Sequence, residues 1–149
     1  LTATIPARPR PSPGPRAPAD RPLTGTAKAA PPDIREAMTT QQIHRMLEAV
    51  WKVVAEANRY VDAQAPWALR KTDPARMGTV LYVAADVIRI LAIYAQSITP
   101  GAAEKLLAQL AVPEGKRKFA DIGTPVPGGT ALPAPAGVFP RYVEPEGAA

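Results

Sequence analysis

The chain of 149 residues has no cysteine and only one histidine, His44. The lack of cysteine excludes disulfides and thiolate metal sites, and a single histidine excludes a multi-histidine metal site. No apolar run approaches the roughly 20 residues that a membrane-spanning helix needs. The first residues also lack the charged and apolar regions of a signal peptide. These absences predict a soluble, cytoplasmic protein with no metal and no membrane partner.

Proline is unevenly distributed, and its distribution suggests where the folded part lies. Nine of the 19 prolines fall in residues 1–33, seven in 113–149 and three in the 79 residues between. Residues 1–38 are rich in Pro, Arg and Ala without a helical or strand period, which predicts a disordered arm. Residues 39–112 are predicted to fold, and residues 113–149 to form an extended Pro/Gly-rich tail. Of the net charge of +5, the first 33 residues carry +3. Such basicity suits an RNA partner.

The middle segment is predicted to form three amphipathic helices. Apolar residues recur at three- and four-residue steps along the first helix, at Ile43, Met46, Leu47, Val50, Trp51, Val54, Ala57 and Val61. Asp73-Pro74 and Thr99-Pro100 are start signals for the second and third helices. The pattern predicts an all-α antiparallel bundle, with Trp51 in the core. Tyr60, Tyr82 and Tyr94 are predicted to be buried, with their hydroxyls at a rim.

The first predicted helix runs into Pro66 and Trp67. Pro66 disfavours the α conformation at Ala65, so Trp67 is expected on a bend and not on a core stripe. An exposed indole on a rigid bend offers a flat face to an unstacked base. Arg70 and Lys71 follow within reach of phosphates. The alternative is that Trp67 folds back as a lid on the bundle.

Two stretches carry a family resemblance, Asn58-Arg59-Tyr60-Val61-Asp62-Ala63-Gln64-Ala65-Pro66-Trp67 and Phe139-Pro140-Arg141. They resemble the C-terminal anticodon-binding region of bacterial methionyl-tRNA synthetases, from about Thr40 to Glu146. The resemblance implies that Pro66 and Trp67 lie at the anticodon site and that Trp67 stacks on an anticodon base. It also implies that the tail packs on the enzyme body. For Asn58, an RNA role and helix-end hydrogen bonding stay open.

The resemblance further implies that the whole enzyme joins methionine to its tRNA at the expense of ATP. This chain has no catalytic constellation, no Gly-rich phosphate loop and neither the HIGH nor the KMSKS motif. No catalytic residue or cofactor is therefore assigned to it, and ATP belongs to a missing catalytic domain. The expected partners are the anticodon loop of methionine tRNA and that catalytic domain. A stand-alone RNA-binding module acting in trans and a helical interaction protein without RNA are the alternatives.

The N-terminal residues depart from the family pattern. The family has a further helix before residue 40, with an asparagine and an arginine that read the anticodon, and residues 1–39 match no such helix. Those two roles are therefore assigned to no residue. Out-of-frame reading of GC-rich DNA yields much Pro, Arg and Ala. The hypothesis is that residues 1 to about 35 come from a frameshift or a misassigned start, so that the chain is the carboxyl end of a broken or truncated synthetase gene.

Overall fold

The computed structural model describes residues 9–139, and they form an α-helical bundle. This confirms the predicted all-α class. The six helices are α1 (Asp20–Ala29), α2 (Pro31–Thr39), α3 (Ile43–Gln64), α4 (Pro66–Thr72), α5 (Pro74–Ala95) and α6 (Pro100–Gln109). Two short 3₁₀ helices follow, at Glu114–Lys116 and Phe119–Asp121. Within the described residues, β pairing is confined to one isolated antiparallel bridge between Pro9 and Ala131.

The prediction of a disordered arm over residues 1–38 is wrong for the part of it that the structure describes, residues 9–38, where Arg10 is buried and helices begin at Asp20. Helices α1 and α2 occupy this stretch and pack against α3 and α5. One apolar stripe runs through both helices at alternating steps of four and three residues, and all its members are buried: Leu23, Ala27, Ala30, Ile34 and Ala37. Such spacing places the residues on one helical face. Residues 1–8 lie outside the described part of the chain.

Proline does not break these helices because of where it lies. Pro31 and Pro32 open α2, and Pro22 lies in the first turn of α1. Backbone N–H groups of a first turn have no partner within the helix, so proline costs nothing there. Three of the nine prolines in residues 1–33 thus lie at helix starts, where they are compatible with the helices. The prediction that this stretch could supply no helix of the bundle is wrong for the same reason.

Helix α5 forms the centre of the bundle and contacts α1, α3, α4 and α6. Its start is as predicted: Asp73 caps α5 by accepting a hydrogen bond from the Arg76 backbone N–H at 2.9 Å, and Pro74 is the first helical residue. Contrary to the prediction from apolar runs, α5 is long and apolar enough to cross a membrane by length and composition. However, 61% of its most apolar stretch is buried in the bundle, as in the core helix of a soluble domain.

Trp51 is not in the core. It is 65% exposed, whereas Met46, Val53 and Tyr60 of the same helix are buried. Those three residues lie seven apart and define the face that α3 turns inward. Ile43, Leu47 and Trp51 form a second apolar stripe on α3, which the described residues leave largely exposed. We call it the exposed stripe. Apolar spacing alone could not tell which of the two stripes the bundle covers.

The three tyrosines are buried as predicted, but their hydroxyls bond inside the bundle. Tyr60 donates to Asp20, Tyr82 to the Val126 carbonyl at 3.0 Å and Tyr94 to the Ala27 carbonyl at 2.6 Å. Burial raises the pKa of Tyr94 to about 12. Each hydroxyl thus joins two distant parts of the chain, and none is left at a rim.

Residues 113–139 lie back over the bundle, with Ile122 and Val126 buried. Arg89, itself buried and paired with Asp86 at 2.8 Å, donates to the Ile122 carbonyl at 2.7 Å. The buried Arg10 contacts the Tyr82 ring, and its backbone N–H donates to the Thr130 carbonyl at 2.7 Å. The tail is therefore held to the bundle itself. Packing of the tail on another part of an enzyme stays a prediction, and Pro140 and Arg141 lie outside the described residues.

Candidate nucleic-acid interface

A sharp turn between α3 and α4 places Trp67 in the first turn of α4. Helix α3 ends at Gln64, Ala65 adopts left-handed backbone angles (φ 41°, ψ 62°), and Pro66 opens α4. A left-handed residue followed by proline is a frequent way to end a helix, because proline cannot continue it. Pro66 is buried, whereas Trp67 is 63% exposed. The chain thus bends just before Trp67, as predicted, but Trp67 itself lies in the first turn of α4. Its exposure excludes the alternative in which it forms a lid on the bundle.

Helix α4 brings Trp67 together with Arg70 and Lys71, the two cationic residues predicted from the sequence to contact phosphates. Arg70 and Lys71 follow Trp67 by three and four residues in one helix, and this spacing places side chains on a common face. Both are exposed. The arrangement offers an aromatic face beside two positive charges, which is the combination that single-stranded nucleic acid binds.

Asn58 lies farther from the turn than the sequence suggested. It is exposed on α3, seven residues before Ala65, which is about 10 Å along the helix axis. Its neighbour Arg59 forms an ion pair with Glu56. The side chain that is bonded at the turn is Gln64, which sequence reasoning did not single out.

A buried cluster anchors the end of α3, and we call it the Asp20 cluster (Asp20, Tyr60, Gln64 and Arg76). Arg76 donates to both carboxylate oxygens of Asp20, at 2.8 and 2.7 Å. It also donates to Oε1 of Gln64 at 2.6 Å. The Tyr60 hydroxyl donates to Asp20 at 2.7 Å, and so does the Ala17 backbone N–H at 2.8 Å. Asp20, which is fully buried, thus accepts four hydrogen bonds.

These hydrogen bonds and the burial of the cluster shift the pKa values of Asp20 and Tyr60. The Arg76 guanidinium, above all, holds the pKa of Asp20 below its ordinary value. Burial and the neighbouring Asp20 carboxylate raise the pKa of Tyr60. At neutral pH the cluster therefore contains the Asp20–Arg76 ion pair and the uncharged Tyr60 phenol, which donates to Asp20. Sequence reasoning missed it because Asp20 lay in the stretch assigned to a disordered arm, where no contacts were expected.

The turn also gives a stability prediction at Ala65. A residue other than glycine costs about 1–3 kcal/mol in left-handed conformation, and β-branched residues suit it least. Because Ala65 already bears this cost, we expect Ala65→Gly to raise the free energy of unfolding by about 1 kcal/mol, measured by urea denaturation. The control is Ala63→Gly, an exposed position within α3, where glycine should instead lower the free energy of unfolding by about 1 kcal/mol from helix propensity. Equal losses at both positions would argue against a strained turn.

Between residues 9 and 139, no group of three or more His, Asp or Glu side chains is placed to hold a metal ion. The functional groups on the surface of α4 are an aromatic ring and two cations, which suit binding and not bond-making chemistry. A helical bundle with such a surface is typical of a module that binds nucleic acid.

Comparison with known proteins identifies the family. Residues 11–148 match the family model described as the anticodon binding domain of methionyl tRNA ligase. The chain belongs to this family of anticodon-binding domains. The resemblance seen from residue 40 therefore extends through most of the predicted arm.

Two similar proteins, both methionine–tRNA ligases, agree with this family assignment. The methionine–tRNA ligase of Brucella suis biovar 1 is 57% identical over 135 residues, which are 90% of this chain and 26% of that protein. The Mycobacterium tuberculosis methionine–tRNA ligase is 42% identical over 140 residues, 91% of this chain and 27% of the relative. The chain thus spans about a quarter of the length of these relatives.

Solved structures give the same fold. The apo form of Mycobacterium tuberculosis methionyl-tRNA synthetase matches with a TM-score of 0.86 at 42% identity, over 92% of this chain and 28% of that one. The same enzyme in complex with methionyl-adenylate also gives 0.86. Together with the family match from residue 11, these findings overturn the frameshift hypothesis for residues 11 to about 35, because an out-of-frame stretch would not match the family.

Proposed function

We propose that this chain recognises the anticodon loop of methionine tRNA as the anticodon-binding part of a methionine–tRNA ligase. The observation that carries the proposal is the exposed Trp67 in the first turn of α4, with Arg70 and Lys71 on the same helical face. The indole stacks on an anticodon base, and the two cations contact phosphates beside it. Pro66 holds the start of α4, and Asn58 is a further RNA contact on the exposed face of α3.

The remainder of the ligase carries the reaction in this proposal. Its catalytic domain binds ATP and methionine and joins methionine to the tRNA in the cytoplasm, whereas this chain is not catalytic by itself. The exposed stripe on α3 (Ile43, Leu47 and Trp51) supports a further packing partner, because contiguous exposed apolar residues mark interaction surfaces. We propose that this stripe and the tail around Phe139 face another part of the ligase.

The test compares two RNA stem-loops that differ in one anticodon base. We expect the chain to bind the stem-loop with the methionine anticodon more tightly than the altered one, measured by fluorescence anisotropy of labelled RNA. Raising the salt concentration should weaken binding of both to a similar degree, since phosphate contacts carry no sequence information.

Two other outcomes would favour the alternative functions. Equal affinity for both stem-loops would favour a general RNA-binding module. Absence of binding to either at low salt would favour a helical interaction protein without an RNA partner.

A further inference from the structure

We infer that the Asp20 cluster is a positioning device for Trp67, with Gln64 as the residue that connects the two. The inference rests on the proposed function, because it assigns a role to residues that do not touch RNA themselves. It starts from the place of Gln64, the last residue of α3, three positions before Trp67.

The cluster joins three helices at one point. Asp20 is the first residue of α1, Tyr60 and Gln64 belong to the last two turns of α3, and Arg76 lies in the first turn of α5. Arg76 is the common donor: it bonds the Asp20 carboxylate on one side and Gln64 Oε1 on the other. The end of α3 is therefore fixed relative to the other two helices, immediately before the chain turns.

The orientation of the Trp67 side chain depends on how firmly its backbone is held. Its side chain is 63% exposed, so packing does little to fix its direction. The residue between Gln64 and Pro66 is in the left-handed conformation, which a non-glycine residue keeps only when its surroundings hold it there. Buried Pro66 on one side and the bonded Gln64 on the other hold the turn. An indole that is already oriented loses less entropy when a base stacks on it.

The cluster is also suited to be rigid. Asp20 is fully buried, and both its oxygens are engaged by donors from α3, α5 and the segment before α1. Buried polar groups whose bonds are all made hold a unique arrangement, since any other would leave a buried charge without partners. The low pKa of Asp20 keeps the ion pair in place at neutral pH.

The first test measures the orientation of Trp67 without RNA. Because Trp51 and Trp67 are the only tryptophans, Trp51→Phe makes the fluorescence report on Trp67 alone. In that background we expect Gln64→Ala to lower the anisotropy of Trp67, whereas Gln64→Glu, which still accepts from Arg76, should keep it. The matched control is Gln109→Ala, which removes two hydrogen bonds to Ala136 at a similarly half-buried position. Unchanged anisotropy in Gln64→Ala would overturn the inference.

The second test measures binding of the methionine stem-loop in a double-mutant cycle. We expect Gln64→Ala to weaken binding about 2- to 12-fold, the cost of ordering one side chain, and to have no effect in the Trp67→Ala background. Equal losses in both backgrounds would overturn a role through Trp67. If the unmodified chain does not bind the stem-loop, the proposed function fails, while the fluorescence test still decides whether the cluster orients the indole.

Discussion

Trp67→Ala is expected to weaken binding to methionine tRNA by about 5- to 150-fold. This range corresponds to the roughly 1–3 kcal/mol that one stacked base contributes. The side chain is mostly exposed, so its removal should leave the bundle folded and affect only the bound state. Binding to unrelated tRNAs should change little, because their contacts are chiefly with phosphates. Fluorescence anisotropy or filter binding with both tRNAs measures the two effects.

The chain offers a matched control in its other tryptophan. Trp51 is exposed to the same degree as Trp67, at 65% against 63%, but it lies on the exposed stripe of α3. Trp51→Ala should leave tRNA affinity within about twofold, since stacking is lost only where a base contacts the ring. If both variants lose the same affinity, or if Trp67→Ala weakens unrelated tRNAs equally, anticodon reading by Trp67 is wrong.

The largest expected effect on stability comes from Asp20→Ala. The substitution leaves the Arg76 guanidinium, whose side chain is 17% exposed, without its carboxylate and with only Gln64 as acceptor. It also leaves the buried Tyr60 hydroxyl without its acceptor. Removal of one member of a buried pair costs about 3–5 kcal/mol, a large part of the about 5–15 kcal/mol that stabilises a typical domain. Urea denaturation measures the loss. In the control Glu56→Ala, which breaks the exposed pair with Arg59, the expected loss is below about 1 kcal/mol.

The same carboxylate predicts a pH dependence. Because the pKa of Asp20 is lower in the folded chain than in the unfolded one, its contribution to stability is complete above the unfolded value of about 3.9. It is lost as the pH falls from there through the folded value. The unmodified chain should therefore lose stability below about pH 4 more steeply than Asp20→Asn. Parallel curves for both proteins would contradict this assignment.

Sequence reasoning predicted the features that local chemistry decides. Asp73-Pro74 and Thr99-Pro100 mark helix starts because an N-cap or proline acts on its own turn, whatever the rest of the fold does. The structure begins α5 at Pro74 and α6 at Pro100. The bend at Pro66 was predictable for the same reason. The common face of Trp67, Arg70 and Lys71 was not predicted, because it depends on α4, which was not among the three predicted helices.

Features that depend on which helices pack against each other could not be predicted from the local sequence. The stripe of α1 and α2 was missed because three of its five members are alanine and prolines surround it, so that its composition is that of a disordered chain. Trp51 was placed in the core because α3 has two apolar stripes. Gln64 and Asp20 meet only when α1, α3 and α5 pack together, and nothing in the spacing of residues 20 and 64 indicates such a contact.

The bridge between Pro9 and Ala131 has a topological consequence. The backbones of Arg10 and Gly129 also bond, at 2.8 Å, so the two strands of chain that enter and leave the bundle run side by side. A mechanical force applied to either segment therefore acts at the same point of the bundle. The two paired segments thus close the chain into a loop at this end of the bundle. Neither segment can detach without breaking the hydrogen bonds that also hold the other.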